Sequence, residues 1–213
     1  ELTRRIHSIA FRATKAECLD LPETTEIVRT VELEWQAQGM YRELVRESFI
    51  SLKDGEVTAT NVLTRLLRLS QLTGGFLCED GANHPTQVDS TKLTALADIV
   101  DSAAQDGKKI VIIARFLPEI AAITRMLEKK AIGYSLISGD IRDRDEQVRR
   151  FQTDPDTTVF VGQIATAGLG ITLTAADTMV FYSLDYSMSN FEQAKARIHR
   201  VGQRNPCTYL YLV

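Results

Sequence analysis

The sequence predicts an α/β protein whose parallel sheet is covered by helices on both faces, with a mainly helical extension before it. From about Lys92 onward, short runs of β-branched, aromatic and other apolar residues alternate with stretches of helical periodicity. Runs that are apolar on both faces are typical of strands in a covered parallel sheet, and their alternation with helices indicates an α/β fold. The predicted strands lie at residues 110–114, 134–137, 158–161, 179–182 and 208–213.

Four helices are predicted among these strands, at residues 92–104, about 118–130, 142–151 and 189–200. Pro118 suits the first turn of the second helix, where a missing N–H group costs least. Ser189 or Asn190 is the predicted cap of the last helix, and Gly202 lies just past its end.

The first 88 residues differ from the rest in their residue pattern, and we expect them to form a linker followed by a helical hairpin packed on the sheet domain. The predicted elements are a strand at residues 27–33 and helices at residues 34–52 and 60–72. The polar stretch 81–86 is the predicted boundary. The chain is therefore divided into a linker and helical hairpin region at 1–88 and a sheet domain at 89–213.

Composition excludes several classes of protein. The chain is 44% hydrophobic and 25% charged, which is ordinary for a globular protein, and it has no long uncharged apolar run that would indicate a membrane span. Its three cysteines, Cys18, Cys78 and Cys207, are far apart and odd in number, which argues against a disulfide framework or a zinc site and favours a reducing, intracellular compartment. Because the chain begins at Glu1 without an initiator methionine, we expect it to be an excised fragment.

The strongest chemical signal lies at residues 193–203. On the predicted helix, Gln193, Arg197 and Arg200 occupy positions i, i+4 and i+7 and share one face. Two guanidinium groups and an amide on one patch suit an anion with planar oxygens, such as a γ-phosphate. By periodicity alone, a solvated and salt-bridged helix face fits as well.

Loops that follow the predicted strands carry the other candidates. Arg115 ends one strand, and Ser138, Gly139 and Arg142 follow another, at the strand ends where ligands of open α/β sheets gather. Such a row of loops could hold a phosphate backbone, although ordinary loop chemistry explains each residue equally well.

A third loop combines glycines with a hydroxyl group. Gly168 and Gly170 follow a strand and allow the backbone to approach a ligand closely. Thr166 supplies a hydroxyl and the loop supplies N–H groups, both suited to a phosphate. A tight turn between strand and helix is the alternative.

The string 193–203 resembles the last helicase motif of Swi/Snf-type DNA translocases, Q-A-x-x-R-x-H-R-x-G-Q, at every specified position. Other segments resemble further motifs of that family: 165–177 the fifth, 108–116 the fourth, 137–140 with Arg144 and Phe151 the segment after it, and 11–15 with 21–24 the stretch that joins the two lobes. The resemblance covers nearly the whole chain and is most specific at its C-terminal end.

This resemblance implies the C-terminal RecA-like lobe of an ATP-dependent translocase of double-stranded DNA, which hydrolyses ATP when complete. It implies that Arg197 and Arg200 are catalytic arginine fingers, and that Gly168, Gly170 and Gln193 bind ATP with them. It implies DNA-backbone contacts by Arg115, Ser138, Gly139, Arg142, Thr166 and Ala167.

The expected cofactors are ATP and Mg²⁺, both held mainly by a missing first lobe. No G-x-x-x-x-G-K-[ST] string occurs in the sequence. Asp145-Glu146 lies in a polar predicted helix and is interpreted as a surface charge cluster. The expected partners are the N-terminal RecA-like lobe and double-stranded DNA, with no membrane, in the cytoplasm or nucleoid of a prokaryote or the nucleus of a eukaryote. The isolated chain is expected to be inactive.

Three departures from the family pattern indicate a divergent branch. Thr172 stands where the family usually has Asn, residues 185–188 read Asp-Tyr-Ser-Met in place of Asp-Trp-Asn-Pro, and residues 114–115 read Ala-Arg in place of Ser-Gln. The alternatives are a non-catalytic RecA-like docking or nucleic-acid-binding module and a strand-separating helicase. A Rossmann-type enzyme is disfavoured because no G-x-G-x-x-G string lies near the first strand.

Overall fold

The computed structural model describes residues 18–47, 49–51, 56–58, 62–78, 84–139 and 143–213. The strands are β1 (Thr24–Arg29), β2 (Phe49–Ser51), β3 (Glu56–Thr58), β4 (Phe76–Cys78), β5 (Pro85–Gln87), β6 (Ile110–Ala114), β7 (Gly133–Ile137), β8 (Thr157–Gln163), β9 (Thr178–Phe181) and β10 (Cys207–Leu212). The helices are α1 (Trp35–Glu47), α2 (Val62–Thr73), α3 (Thr91–Gln105), α4 (Leu117–Lys129), α5 (Arg144–Thr153) and α6 (Met188–Lys195), with a 3₁₀ helix at Ile164–Leu169.

Six strands form one parallel sheet in the order β1-β10-β9-β6-β8-β7. Alternate residues of β6 enter different cores, because successive side chains of a strand point to opposite faces. Val111 packs with Phe151 of α5 and Ala194 of α6, whereas Ile112 packs in a second core with residues of α3 and α4. The predicted α/β fold with helices on both faces of the sheet is confirmed.

The edge strand β1 comes from the region before residue 88. It pairs in parallel with β10, with Glu26 opposite Tyr209, and all six of its residues are exposed. The predicted strand at 27–33 was therefore placed three residues too late. Hydrophobic patterning could not locate its start, because an edge strand that is exposed along its whole length has no apolar face to detect.

The helical extension consists of α1, α2 and two short antiparallel strand pairs. Ala37 and Leu44 of α1 pack on Leu72 and Leu77 in a small core of their own. The predicted first helix was too long, since α1 ends at Glu47 and the next described residues form β2, which pairs with β3. Strand β4 pairs with β5. Strand β5 begins inside the stretch 81–86 that was predicted to be the domain boundary. The division of the chain after residue 88 stays a prediction.

Neither a membrane-spanning helix nor a metal-binding cluster occurs in the described residues. Across the ranges given above, no helix is long and apolar enough to cross a membrane. In the same ranges, no three His, Cys, Asp or Glu side chains lie together in a way that could hold a metal ion.

Candidate functional site

The predicted site residues gather at one edge of the sheet. Because all six strands are parallel, the loops after β6, β7 and β8 leave the sheet on the same side. Arg115 follows β6 directly, Ser138 and Gly139 follow β7, and Thr166 lies in the 3₁₀ helix after β8. Ser138 is buried and Gly139 is exposed. Arg142 lies outside the described residues.

Gln163, the last residue of β8, joins these three loops. Its side-chain nitrogen Nε2 donates to the carbonyl oxygen of Arg115 at 3.3 Å, and its Oε1 accepts from the N–H of Gly139 at 3.3 Å. The hydroxyl of Thr166 donates to the backbone oxygen of Gln163 at 2.6 Å. Gln163 was not among the residues predicted from the sequence, although a polar side chain that ends an apolar strand was a usable signal.

Arg115 is held in place on both its backbone and its side chain. Its N–H donates to the Ser183 hydroxyl at 2.8 Å and to Oε2 of Glu119 at 3.1 Å. Its guanidinium carbon lies 4.8 Å from the ring centre of Phe116 and 5.2 Å from that of Tyr186. The guanidinium nitrogen Nη1 is buried without a hydrogen-bond partner among the described residues. The loop therefore presents an oriented cation with unused donor capacity, which suits an anion.

Gly170 ends the 3₁₀ helix in a conformation that favours glycine. Its φ is +70°, in the left-handed region, and a side chain at this position would meet no atom within 4 Å. The requirement for glycine is therefore one of backbone conformation rather than of space. Residues 167–169 are described as backbone of the same 3₁₀ helix, and Gly168 and Ala167 thus lie between Thr166 and Gly170.

At the last motif, the predicted helix is present, but its predicted cap and its predicted end at residue 200 are wrong. Helix α6 covers Met188–Lys195, and its cap is Ser187, whose hydroxyl accepts from the N–H of Asn190 at 3.2 Å. Of the three residues assigned to one face, Gln193 alone lies in the helix, and its amide nitrogen donates to the Ser189 hydroxyl at 3.0 Å. Positions 197 and 200 lie in turns beyond the helix.

The helix ends early because its next turn takes other hydrogen-bond partners. The N–H of Arg197 donates to the carbonyl of Ala194, three residues back, at 2.9 Å. The carbonyl of Arg197 accepts from the N–H of Leu173, in the segment after Gly170, at 2.9 Å. The Arg197 carbonyl, which a continuing helix would pair with the N–H of residue 201, thus bonds to a distant segment instead, a tertiary effect that periodicity does not report.

The two arginines of the motif still lie near one another. Burial, and after it the positive charge of Arg200, hold the pKa of Arg197 below its ordinary value. Nη1 of Arg200 donates to the carbonyl oxygens of Ile171 at 3.2 Å and Gly170 at 3.4 Å. The last motif is therefore tied to the loop after β8, and two guanidinium groups converge where an anion would relieve their repulsion.

Other fixed residues of the motif have structural roles. Gln203 is buried, and its Nε2 donates to the carbonyls of Ala176 at 2.8 Å and Ile198 at 3.3 Å. A ring nitrogen of His199 lies 2.9 Å from the carbonyl oxygen of Pro22, so this motif also contacts the segment before β1. Periodicity could not separate these roles, because they depend on contacts with distant segments.

The structure thus groups the predicted residues in two clusters joined by one element. Arg115, Gly139 and Thr166 lie around Gln163, whereas Gly170 and the two arginines of the last motif lie together. The 3₁₀ helix Ile164–Leu169 spans the distance between the clusters. The binding roles of all these residues, including Gln193, Ser138, Gly168 and Ala167, stay predictions.

Comparisons with known proteins show the family to which the chain belongs. The family model of the helicase conserved C-terminal domain matches residues 91–202. The chain is 26% identical, over its whole length, to a chromodomain-helicase-DNA-binding protein 1-like of Danio rerio. It is 34% identical, over 59% of its length, to the chromatin-remodeling ATPase INO80 of Mycosarcoma maydis. It spans 22% of the length of the first relative and 7% of the second.

Two solved structures share the fold. One is the SWI2/SNF2 ATPase core of Sulfolobus solfataricus in complex with double-stranded DNA, with a TM-score of 0.68 and 25% identity over 100% of this chain and 46% of that one. The other is the C-terminal part of the Fun30 ATPase domain, with a TM-score of 0.67 and 14% identity over 91% of this chain and 86% of that one. The chain belongs to the helicase conserved C-terminal domain family, as a C-terminal RecA-like lobe of the Swi/Snf type.

Proposed function

We propose that this chain is the second motor lobe of an ATP-dependent translocase of double-stranded DNA. The observation that carries the proposal is the bond from Arg200 to the carbonyls of Gly170 and Ile171, beside the partly buried Arg197. This bond joins a cationic cluster suited to phosphate with the loop after β8, which also contains Thr166. The complex of a SWI2/SNF2 ATPase core with double-stranded DNA supports DNA as the partner.

In this proposal ATP and Mg²⁺ are held mainly by a first lobe that precedes this chain. Phosphoryl transfer needs a phosphate cradle, a magnesium carboxylate and cations that stabilise charge in the transition state. This chain would supply the last of these through Arg197 and Arg200, with Gly168, Gly170 and Gln193 lining the nucleotide side. Two arginines held by burial and by backbone carbonyls need little rearrangement when the lobes close.

The DNA side would be the loops around Arg115, Ser138, Gly139 and Arg142, together with Thr166 and Ala167. Gln163 hydrogen-bonds to three of these loops, so they would shift as one unit. The 3₁₀ helix after β8 would then transmit closure at the arginines to the grip on one DNA strand. Cycles of hydrolysis would move the motor along duplex DNA inside the cell.

The test is ATP hydrolysis by a complete motor, in which an ATP-binding first lobe precedes this chain, with and without duplex DNA. We expect DNA-stimulated turnover in the complete motor and none in this chain alone. Arg200→Ala should lower kcat by about a thousandfold or more, as loss of an arginine finger does. The matched control is Arg204→Ala, which removes an exposed guanidinium four residues further along.

Each contrary outcome has a defined meaning. Full turnover by Arg200→Ala would remove the arginine from the catalytic role. Absence of turnover in the complete motor with DNA would favour a non-catalytic docking or nucleic-acid-binding module. Release of a labelled strand from a partial duplex, measured in the same reactions, would instead identify a strand-separating helicase.

A further inference from the structure

The turn after α2 lies against the loops that follow β6 and β9. The hydroxyl of Tyr182 donates to the carbonyl of Gly74 at 3.1 Å. Two residues further on, the ring of Phe76 meets that of Phe116 edge to face, with centres 5.4 Å apart. The helical extension therefore contacts the same loop that contains Arg115.

A second contact lies closer to the Arg115 guanidinium. The hydroxyls of Ser70, in α2, and Tyr186 are 3.2 Å apart, and the Tyr186 ring is one of the two that flank Arg115. The helical extension thus contacts both aromatic residues that flank this arginine, Phe116 through Phe76 and Tyr186 through Ser70.

Glu119 is buried at the centre of these contacts, with 1% of its surface exposed. Its Oε2 accepts from the N–H groups of Arg115 at 3.1 Å and Phe116 at 3.0 Å, and from the hydroxyl of Ser183. Burial raises the pKa of Glu119, and the hydrogen bonds from Ser183 and Phe116 oppose that rise. The carboxylate therefore fixes the first residues of the loop after β6.

The other oxygen of Glu119 faces the helical extension. Oε1 is buried, has no hydrogen-bond partner among the described residues, and lies against Gly74. A methyl group added to Gly74 would overlap Oε1, so the Glu119 side chain would have to shift to make room for it. One carboxylate thus touches the Gly74 turn with one oxygen and the Arg115 loop with the other.

A cavity of about 370 Å³ adjoins this contact. Its lining includes Gly74, Asp89, Glu119 and Tyr182. A displaced Glu119 side chain has open space beside it and can move without disrupting the close-packed core. The position of Glu119 is therefore set by the hydrogen bonds to Oε2 and by the Gly74 turn beside Oε1, rather than by packing on every side.

We propose that Glu119 is a positioning residue through which the Gly74 turn of the helical extension sets the conformation of the Arg115 loop, and thereby its hold on DNA. The inference rests on the proposed function, because it requires Arg115 to contact the DNA backbone. It adds a mechanical path from the helical extension to that contact.

The experiment compares Gly74→Ala, Glu119→Gln and Arg115→Ala in the complete motor, with duplex DNA as the probe. Gly39→Ala is the matched control, because a methyl group there meets nothing within 4 Å. Two quantities are measured: the DNA concentration that gives half-maximal ATPase stimulation, and the dependence of DNA affinity on salt. Thermal unfolding of each variant reports on folding.

We expect Gly74→Ala and Glu119→Gln to raise the half-maximal DNA concentration several-fold, with a smaller change in kcat at saturating DNA. The slope of log affinity against log salt should fall by about 0.9 for each DNA phosphate that the protein no longer neutralises. When either variant is combined with Arg115→Ala, DNA binding should weaken little beyond the effect of Arg115→Ala alone, because the three residues act in one path. A loss of stability alone would not change the salt slope.

Three results would overturn the inference, and the first two differ in whether the proposed function also fails. If Arg115→Ala weakens DNA binding while Gly74→Ala and Glu119→Gln do not, the mechanical path is refuted and the proposed function stands. If Arg115→Ala itself leaves DNA affinity unchanged, the DNA role of that loop fails together with the inference built on it. Fully additive effects in the double variants would also refute a shared path.

Discussion

Gln203 is predicted to stabilise the fold rather than to bind a ligand, although it ends the most specific motif of the sequence. Its side chain is 8% exposed. Nε2 donates to the carbonyls of Ala176 and Ile198, and Oε1 accepts from the N–H groups of Arg204 and Asn205 at 2.9 and 3.0 Å. Gln203→Ala would remove this partner from these four backbone groups and from the Thr174 carbonyl, to which Nε2 donates at 3.4 Å.

The size of the stability loss depends on which of those backbone groups water can reach after the substitution. Arg204 and Asn205 are exposed, so their N–H groups can bind water once the amide is gone. The carbonyls of Ala176 and Ile198 belong to buried hydrogen bonds, and each unsatisfied buried group costs about 1–3 kcal/mol. We therefore expect Gln203→Ala to lower the free energy of unfolding by about 2–6 kcal/mol. For a chain of this size, each kcal/mol of that loss lowers Tm by about 2–4 °C.

The assay is urea and thermal unfolding followed by circular dichroism. Gln203→Met has a similar volume without the polar groups, and therefore separates the effect of the missing hydrogen bonds from that of an empty cavity. Gln105→Ala, an exposed glutamine at the end of α3, is the control and should stay within about 0.5 kcal/mol of the parent. A loss below about 0.5 kcal/mol for both Gln203 variants would refute the structural role.

Two further predictions concern single positions. Gly170→Ala places a side chain at φ +70° and should cost about 1–2 kcal/mol; an unchanged unfolding midpoint would contradict the conformational argument. Burial, and then the charge of Asp177, raise the pKa of the Cys207 thiol to about 11. At pH 9 this thiol should stay protonated and resist iodoacetamide while exposed Cys18 reacts, and comparable alkylation of both under native conditions would contradict that account.

The residues of the last motif fall into two groups in the folded structure. Arg197 and Arg200 converge beside the loop after β8, while Gln203 and His199 bond to backbone carbonyls elsewhere in the fold. A string recognised as one unit in the sequence is therefore two sets of residues in space. Substitutions within it should affect turnover and stability separately.

The sequence predicted what depends on local pattern. The inner strands were found because apolar runs such as 110–114 are buried on both faces, and α4 was found from Pro118 at its start. The loop positions of Arg115 and Ser138 followed from the ends of those strands, since parallel strands end at one edge. Glu119 had only half of a capping-box signal, because a glutamate stands three residues after the N-cap while the N-cap residue itself is Phe116.

Tertiary contacts decided the rest. The edge strand β1 forms by pairing with β10, the Arg197 carbonyl beyond the end of α6 bonds to Leu173, and Gln163 bonds to loops more than twenty residues away. Periodicity reports which face of an element is apolar, a property of neighbouring residues in the chain. Which backbone groups remain for a distant partner depends on how the elements pack, and only the folded structure contains that information.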